Sequence, residues 1–129
     1  MSQVFSLLSG QYSLVRLPPD GPVPGWAFSP DGFASVTRTA DELSVVCLAA
    51  LVPAGVRSDG GWCCLKLKGP FAFDQVGILS SFALPLAQAG VGIFAISTFD
   101  TDCILVKESQ RELAIRALVS AGHSIAADH

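Results

Sequence analysis

Thr98, Phe99, Asp100, Thr101 and Asp102 bring two hydroxyls, one aromatic ring and two carboxylates into five consecutive residues. Carboxylates beside hydroxyls can hold an ammonium group, and an aromatic ring can wall off the apolar part of the same molecule. No Cys–His or Ser–His pair accompanies them, so the set reads as a site that holds a small polar molecule rather than one that breaks bonds. The flanking runs, 91–97 and 103–106, are rich in β-branched and aromatic residues, and the corner between them is too short for a helix. That is the pattern of an antiparallel hairpin.

The elements that must position this corner follow on either side. Upstream, 62–68 (WCCLKLK) reads as a strand closed by Gly69-Pro70. Asp74 suits a helix N-cap, which predicts a helix from Gln75 to Ala89 with Gly90 as its C-cap. Leu79, Phe82, Ala83 and Leu86 would form its buried stripe, and Pro85 is expected to kink it. Downstream, Ser109 and Glu112 have capping-box spacing, predicting a helix through Leu113, Ala114, Ala117 and Leu118 to Gly122. A short strand around 123–126 follows. The order strand, helix, strand, strand, helix, strand closes into a four-stranded antiparallel sheet with both helices on one face, an α+β ferredoxin-like arrangement.

The first half reads as a degenerate copy. Setting 34–46 under 94–106 brings Val36 to Ile96, Thr37 to Ser97 and Glu42 to Asp102, a constant offset of 60. The preceding helix has no counterpart, because Pro18, Pro19, Pro22 and Pro24 stand in its place. The stretch 53–61 serves as the joint, giving a degenerate half over 1–58 and a complete one over 59–129.

Composition narrows the function classes. Half of the 129 residues are hydrophobic and 15% are charged, so the chain can bury a core, and its surplus apolar area points to a subunit interface. A net charge of −3 with Lys66, Lys68 and Lys107 scattered gives no basic surface for nucleic acid. No apolar run is long enough for a membrane span and no basic leader opens the chain, which predicts a cytoplasmic protein. Cys47, Cys63, Cys64 and Cys103 lack metal or bridging spacing, so reduced thiols, no metal and no cofactor are expected.

Taken together, 73–110 (FDQVGILSSFALPLAQAGVGIFAISTFDTDCILVKESQ) resembles the ACT domain, the small-molecule regulatory module of aspartate kinases and other amino-acid enzymes. The pattern is similar to the tandem ACT proteins that include the cytosolic arginine sensor of animals. Asp74-x-x-Gly77 before a helix and Ser97-Thr98-Phe99-x-x-Asp102 in the hairpin carry the resemblance. It implies two ACT-like halves, the first degenerate, and a ligand between ACT units, against the helix start and the facing hairpin. Asp74, Gln75, Val76, Gly77, Ile78, Thr98, Phe99 and Asp102 are the ligand-binding residues it implies. A free amino acid is the implied ligand, a homodimer the implied assembly, and any regulated protein a separate chain. The animal sensor has an acidic residue where Gln75 stands, which puts arginine itself in doubt.

Physical chemistry agrees and keeps alternatives open. A helix N-terminus offers N–H groups to a carboxylate, and Asp102 could pair with an ammonium. Asp74 reads first as a helix cap, Gly77 equally as a packing glycine, and Phe99 equally as a core aromatic. Two functions compete: a non-catalytic amino-acid-binding regulator, and a structural or assembly protein that keeps the fold without a ligand. No catalytic residues are predicted.

Overall fold

A computed structural model of the chain describes residues 2–72 and 74–126; Phe73, the first residue of the 73–110 stretch, lies outside the described residues. The chain divides into two compact units, Ser9–Trp62 and Met1–Leu8 with Cys63–His129. The division expected between residues 58 and 59 coincides with the start of a ten-residue strand, β5 (Ser58–Leu67), below, whose first five residues belong to one unit and last five to the other. No helix among the described residues is long and apolar enough to cross a membrane.

The C-terminal unit contains β1 (Val4–Leu7), the second half of β5 (Ser58–Leu67), α1 (Ile78–Gln88), β6 (Ile93–Ser97), β7 (Asp102–Lys107), α2 (Arg111–Ser120) and β8 (Ser124–Ile125), where β2 to β4 belong to the other unit. Its strand order is β8-β1-β5-β7-β6. The four expected strands are present, but β1 lies between β8 and β5. It pairs antiparallel with β5 (Phe5 opposite Leu67) and parallel with β8 (Val4 opposite Ser124). A four-residue apolar stretch has no local pattern to announce this, since its partners lie about sixty residues and more away.

Period-two alternation sends Cys63, Leu65 and Leu67 of β5 and Ile104 and Val106 of β7 to one face. There they meet Ile78, Phe82 and Leu86 of α1 and Ala114 and Leu118 of α2, with Phe5 of β1. Both helices therefore pack on the same side of the sheet, as the apolar patterns predict. His123 is buried at the start of β8 and holds this layer together. Its Nδ1 accepts the Gln3 N–H at 3.1 Å, its Nε2 lies 2.9 Å from the Ser81 carbonyl oxygen, and its ring stacks on Phe82 at 3.9 Å.

Both helix starts differ from the sequence reading. Helix α1 begins at Ile78 rather than Gln75, and Asp74 is not its cap. Gly77, at φ 85°, occupies the N-cap in the left-handed region, so the right-handed helix can start only after it. Before it, the Gln75 N–H bonds the Ala72 carbonyl at 3.1 Å and the Gln75 Oε1 accepts the Ala72 N–H at 2.9 Å. At α2 the capping box does not form. Ser109 is absorbed into a 3-10 turn, Glu108–Gln110, and Gln110 is the N-cap without a side-chain bond. The helices end at the glycines, each of which follows the C-cap rather than forming it: Ala89 caps α1 before Gly90, and Ala121 caps α2 before Gly122. The Val91 N–H reaches the Leu86 carbonyl at 2.9 Å past Gly90, and the His123 N–H reaches Leu118 at 3.1 Å past Gly122. Helix α1 runs through Pro85 without ending.

The N-terminal unit contains β2 (Tyr12–Leu17), β3 (Ser35–Arg38), β4 (Leu43–Leu48) and the first half of β5, in the order β3-β4-β2-β5. Val15, Ala27, Val45 and Cys47 form its core. Among the described residues it has no α-helix, only 3-10 turns at Gly25–Ala27 and Ala49–Leu51. Proline excludes a helix from 18–25, as expected.

The two hairpins are built alike, but with an offset of 59 rather than 60. Arg38 pairs with Leu43 where Ser97 pairs with Asp102, each across a four-residue corner. The Thr39 N–H bonds the Glu42 carbonyl at 2.9 Å, as the Thr98 N–H bonds that of Thr101 at 2.8 Å. Val45 and Cys47 then match Ile104 and Val106, the core-facing pair of β7. The 3-10 turns after β4 and β7 keep the same spacing. Apolar residues crowd both faces of β4 and β7, so sequence likeness alone does not fix a register that one residue would invert.

Candidate functional site

Within the C-terminal unit, an open cleft of about 610 Å³ separates the start of α1 from the corner between β6 and β7. Gln75, Gly77, Ile78 and Ser80 line one side, Ser97 to Asp102 the other, and Phe71 and Ala72 one end. Six residues expected from the sequence meet here: Gln75, Gly77, Ile78, Thr98, Phe99 and Asp102. Asp74 and Val76 do not line the cleft; Asp74 is exposed and Val76 is 85% exposed.

The helix side presents backbone. The first bond of α1 runs from the Ser81 N–H to the Gly77 carbonyl at 3.0 Å. The N–H groups of Ile78, Leu79 and Ser80 precede it, at the positive end of the helix dipole. No side chain caps this end, and the Ser80 Oγ donates to the Gly77 carbonyl at 3.1 Å. Because Gly77 delays the helix, these three N–H groups stand three residues later than the sequence suggests.

The hairpin side presents acid and hydroxyl groups. Ser97 and Asp102 face each other across the strands, and the Ser97 Oγ donates to the Asp102 Oδ1 at 2.5 Å. This bond holds one carboxylate oxygen and leaves the second oriented by it. The Thr98 hydroxyl is committed to the corner itself, accepting the Thr101 N–H at 3.3 Å and lying 3.2 Å from the Thr101 carbonyl. Phe99 is 78% exposed and lines the cleft edge. Among the described residues the lining holds no lysine, arginine, histidine or cysteine, so its formal charge comes from Asp100 and Asp102.

Three contacts clamp the corner to the chain leaving β5. The buried Thr101 hydroxyl donates to the Leu67 carbonyl at 2.8 Å, and the Phe71 N–H donates to the Asp100 carbonyl at 2.8 Å. Gly69 completes the contact, since a Cβ there would lie 2.6 Å from the Asp100 carbonyl oxygen and 3.1 Å from the Thr101 Cβ. Those atoms are backbone and a Cβ, with no rotamer to yield. Gly69→Ala is therefore expected to lower stability by about 1–3 kcal/mol and to shift the Asp100 and Thr101 amide resonances. Unchanged resonances would show that the corner does not depend on this approach.

Phe71, Ser80 and Ser97 complete the cleft although sequence reasoning does not rank them among the binding residues. The signal for Ser97 is its place opposite Asp102 in the hairpin. Phe71 and Ser80 carry no comparable signal, because only the fold brings the 71–80 stretch against the corner.

The thiols lie away from the cleft. Cys47, Cys63, Cys64 and Cys103 are free and buried. Burial, reinforced by Glu108, pushes the Cys63 thiol up from 9.0 to about 11. An unfolded chain loses this proton first, so between pH 9 and 11 the unfolded state binds fewer protons than the native one. Stability is thus expected to hold up to about pH 9 and to fall by about 2–3 kcal/mol per such thiol as pH rises through 11. In Cys63→Ala the fall should be shallower, and an identical slope would refute the assignment.

Comparison with known proteins bears on the whole chain. A family model for the ACT domain matches residues 57–120, and a second model, described as an N-terminal domain, matches residues 10–55. No curated protein matches the chain. A solved protein from Agrobacterium tumefaciens is similar to it over 100% of this chain and 96% of that one, at 45% identity and a TM-score of 0.93. A Vibrio cholerae protein of unknown function, described as a possible transport protein, is 22% identical with a TM-score of 0.75, covering 93% of this chain and 90% of that one. The regulatory subunit of aspartate kinase from Thermus thermophilus is 11% identical with a TM-score of 0.58, covering 86% and 91%. The last two show likeness of fold. With its fold in place and a family model for the ACT domain matching residues 57–120, the chain belongs to the ACT-domain family.

Proposed function

We propose that this chain is a non-catalytic regulatory ACT protein that binds a free amino acid in the cleft between α1 and the 98–102 corner. The observation that carries the reading is the opposition of two unlike groups across one cleft. Backbone N–H groups of Ile78, Leu79 and Ser80 lie on one side and the Asp102 carboxylate on the other. A zwitterion has a carboxylate for the first and an ammonium for the second. Among the described residues the lining is made of carboxylate, hydroxyl, amide, aromatic, aliphatic and backbone groups, which supports binding over catalysis. The regulated protein is then a separate cytoplasmic partner, and the chain acts as a homodimer whose second copy covers the open cleft.

A thermal-shift screen against the common amino acids tests this. An amino acid present at about 100 times its dissociation constant stabilises the folded state by about 2.7 kcal/mol, a rise of several degrees for a chain of this size. If none of them moves the transition, the reading fails and the structural or assembly role takes its place.

A further inference from the structure

The repeat of the hairpin raises the question of a second site, and the N-terminal unit answers it. We infer that this unit carries no ligand site of its own, because the chain itself closes the place where the C-terminal unit has its cleft. This goes beyond the proposed function by fixing one site per chain.

The equivalence of the two corners makes the comparison residue by residue. With the offset of 59, Arg38 stands for Ser97, Leu43 for Asp102 and Glu42 for Thr101. The acid that would hold an ammonium is thus replaced by a fully buried leucine. Where 25 residues with a helix join β5 to β6, 17 residues without one join β2 to β3. Among the described residues no row of α-helix N–H groups faces the Thr39–Glu42 corner, so the carboxylate side of a site is missing too.

In place of a ligand the unit binds itself. The Arg38 guanidinium donates from Nη1 to the Pro19 carbonyl and from Nη2 to the Gly21 carbonyl, the latter at 2.8 Å. It thereby seats the proline turn, whose Gly21 N–H bonds the Pro18 carbonyl at 3.1 Å. Arg16 occupies the rest of the corner. Its Nη2 donates to the Asp41 carbonyl at 3.0 Å and its Nη1 lies 3.4 Å from the Glu42 carboxylate. Both arginines at the corner and its glutamate are thus spent on protein partners. A guanidinium fits this task because its rigid planar fork holds its donors at a fixed spacing matched to two carbonyls, whereas a lysine ammonium is a single compact point charge on a flexible stem.

Two measurements test the inference, one without any ligand. Arg38→Ala should speed hydrogen exchange at the Gly21 amide by about tenfold or more, through loss of two charge-assisted bonds, and Arg38→Lys should fall between. Exchange unchanged in Arg38→Ala would mean that Arg38 does not hold the turn, and would overturn the closure. Titration of the parent with each common amino acid, followed by amide resonances, should move 78–80 and 98–102 with one molecule per chain. Saturable shifts at Thr39–Glu42, or two molecules per chain, would overturn it. If no amino acid shifts either corner, the proposed function falls, while the exchange result still decides the closure.

Discussion

Asp102→Asn should keep the fold and lose on the order of a hundredfold or more in affinity for whichever amino acid the parent binds. The fold survives because the asparagine oxygen can still accept the Ser97 hydroxyl, the bond that crosses the strands at this position. Asp102 begins β7 and keeps part of its surface exposed, so the substitution buries nothing new. Affinity falls because a ligand ammonium, desolvated against the cleft wall, loses its counter-charge. Thr98→Val should behave in the opposite sense. Its hydroxyl serves the Thr101 backbone, so the variant should lose about 1 kcal/mol of stability and change binding mainly through corner order. Isothermal titration of the two variants beside thermal melts separates the roles. An Asp102→Asn chain that binds as the parent does would remove Asp102 from the site, and one that melts many degrees lower without ligand would make it structural.

Phe82→Ala should be the most damaging single change to stability, at about 3–5 kcal/mol. Phe82 is fully buried, stands edge-on to Phe5 at 5.9 Å and stacks on His123 at 3.9 Å. From α1 it therefore touches the first strand of the unit and the residue that leads into its last strand. Truncation opens a cavity and strips the imidazole of its apolar wall, while the two bonds of His123 to Gln3 and Ser81 resist collapse into the space. Because α1 supplies one side of the cleft, binding should be lost together with the packing. Leu84, on the same helix but 59% exposed, is the control, since Leu84→Ala should stay within about 0.5 kcal/mol. Equal melting of the two variants in chemical denaturation would contradict the packing assigned here.

These two residues divide what is legible from what is not. Phe82 was accessible from helical spacing, and Asp102 from its place in a short polar corner between β-rich runs. Local rules reach such positions because periodicity and turn composition act within a few residues. The hairpin β6–β7, the helix ends at Gly90 and Gly122, and the proline-blocked first crossover all follow from such rules, and so does the α+β class of the chain.

Tertiary structure decided the rest. A capping box at Ser109 and an N-cap at Asp74 are sound local signals, yet both gave way. Ser109 is drawn into the 3-10 turn after β7, and the left-handed backbone at Gly77 holds the start of α1 back to Ile78. The insertion of β1 between β8 and β5 depends on hydrogen bonds to strands far along the chain, which leave no trace in a four-residue stretch. The hairpin register differs for a related reason. Strands apolar on both faces look alike when slid by one residue, and only the pairing of Arg38 with Leu43 and of Ser97 with Asp102 fixes the offset. The sequence by itself thus determined which residue types meet at each corner and which segments can be helix or strand. Folding alone decided that one corner opens onto the N–H groups of a helix while the other is closed by its own arginine. The outcome turns on contacts between segments that local physics treats as independent.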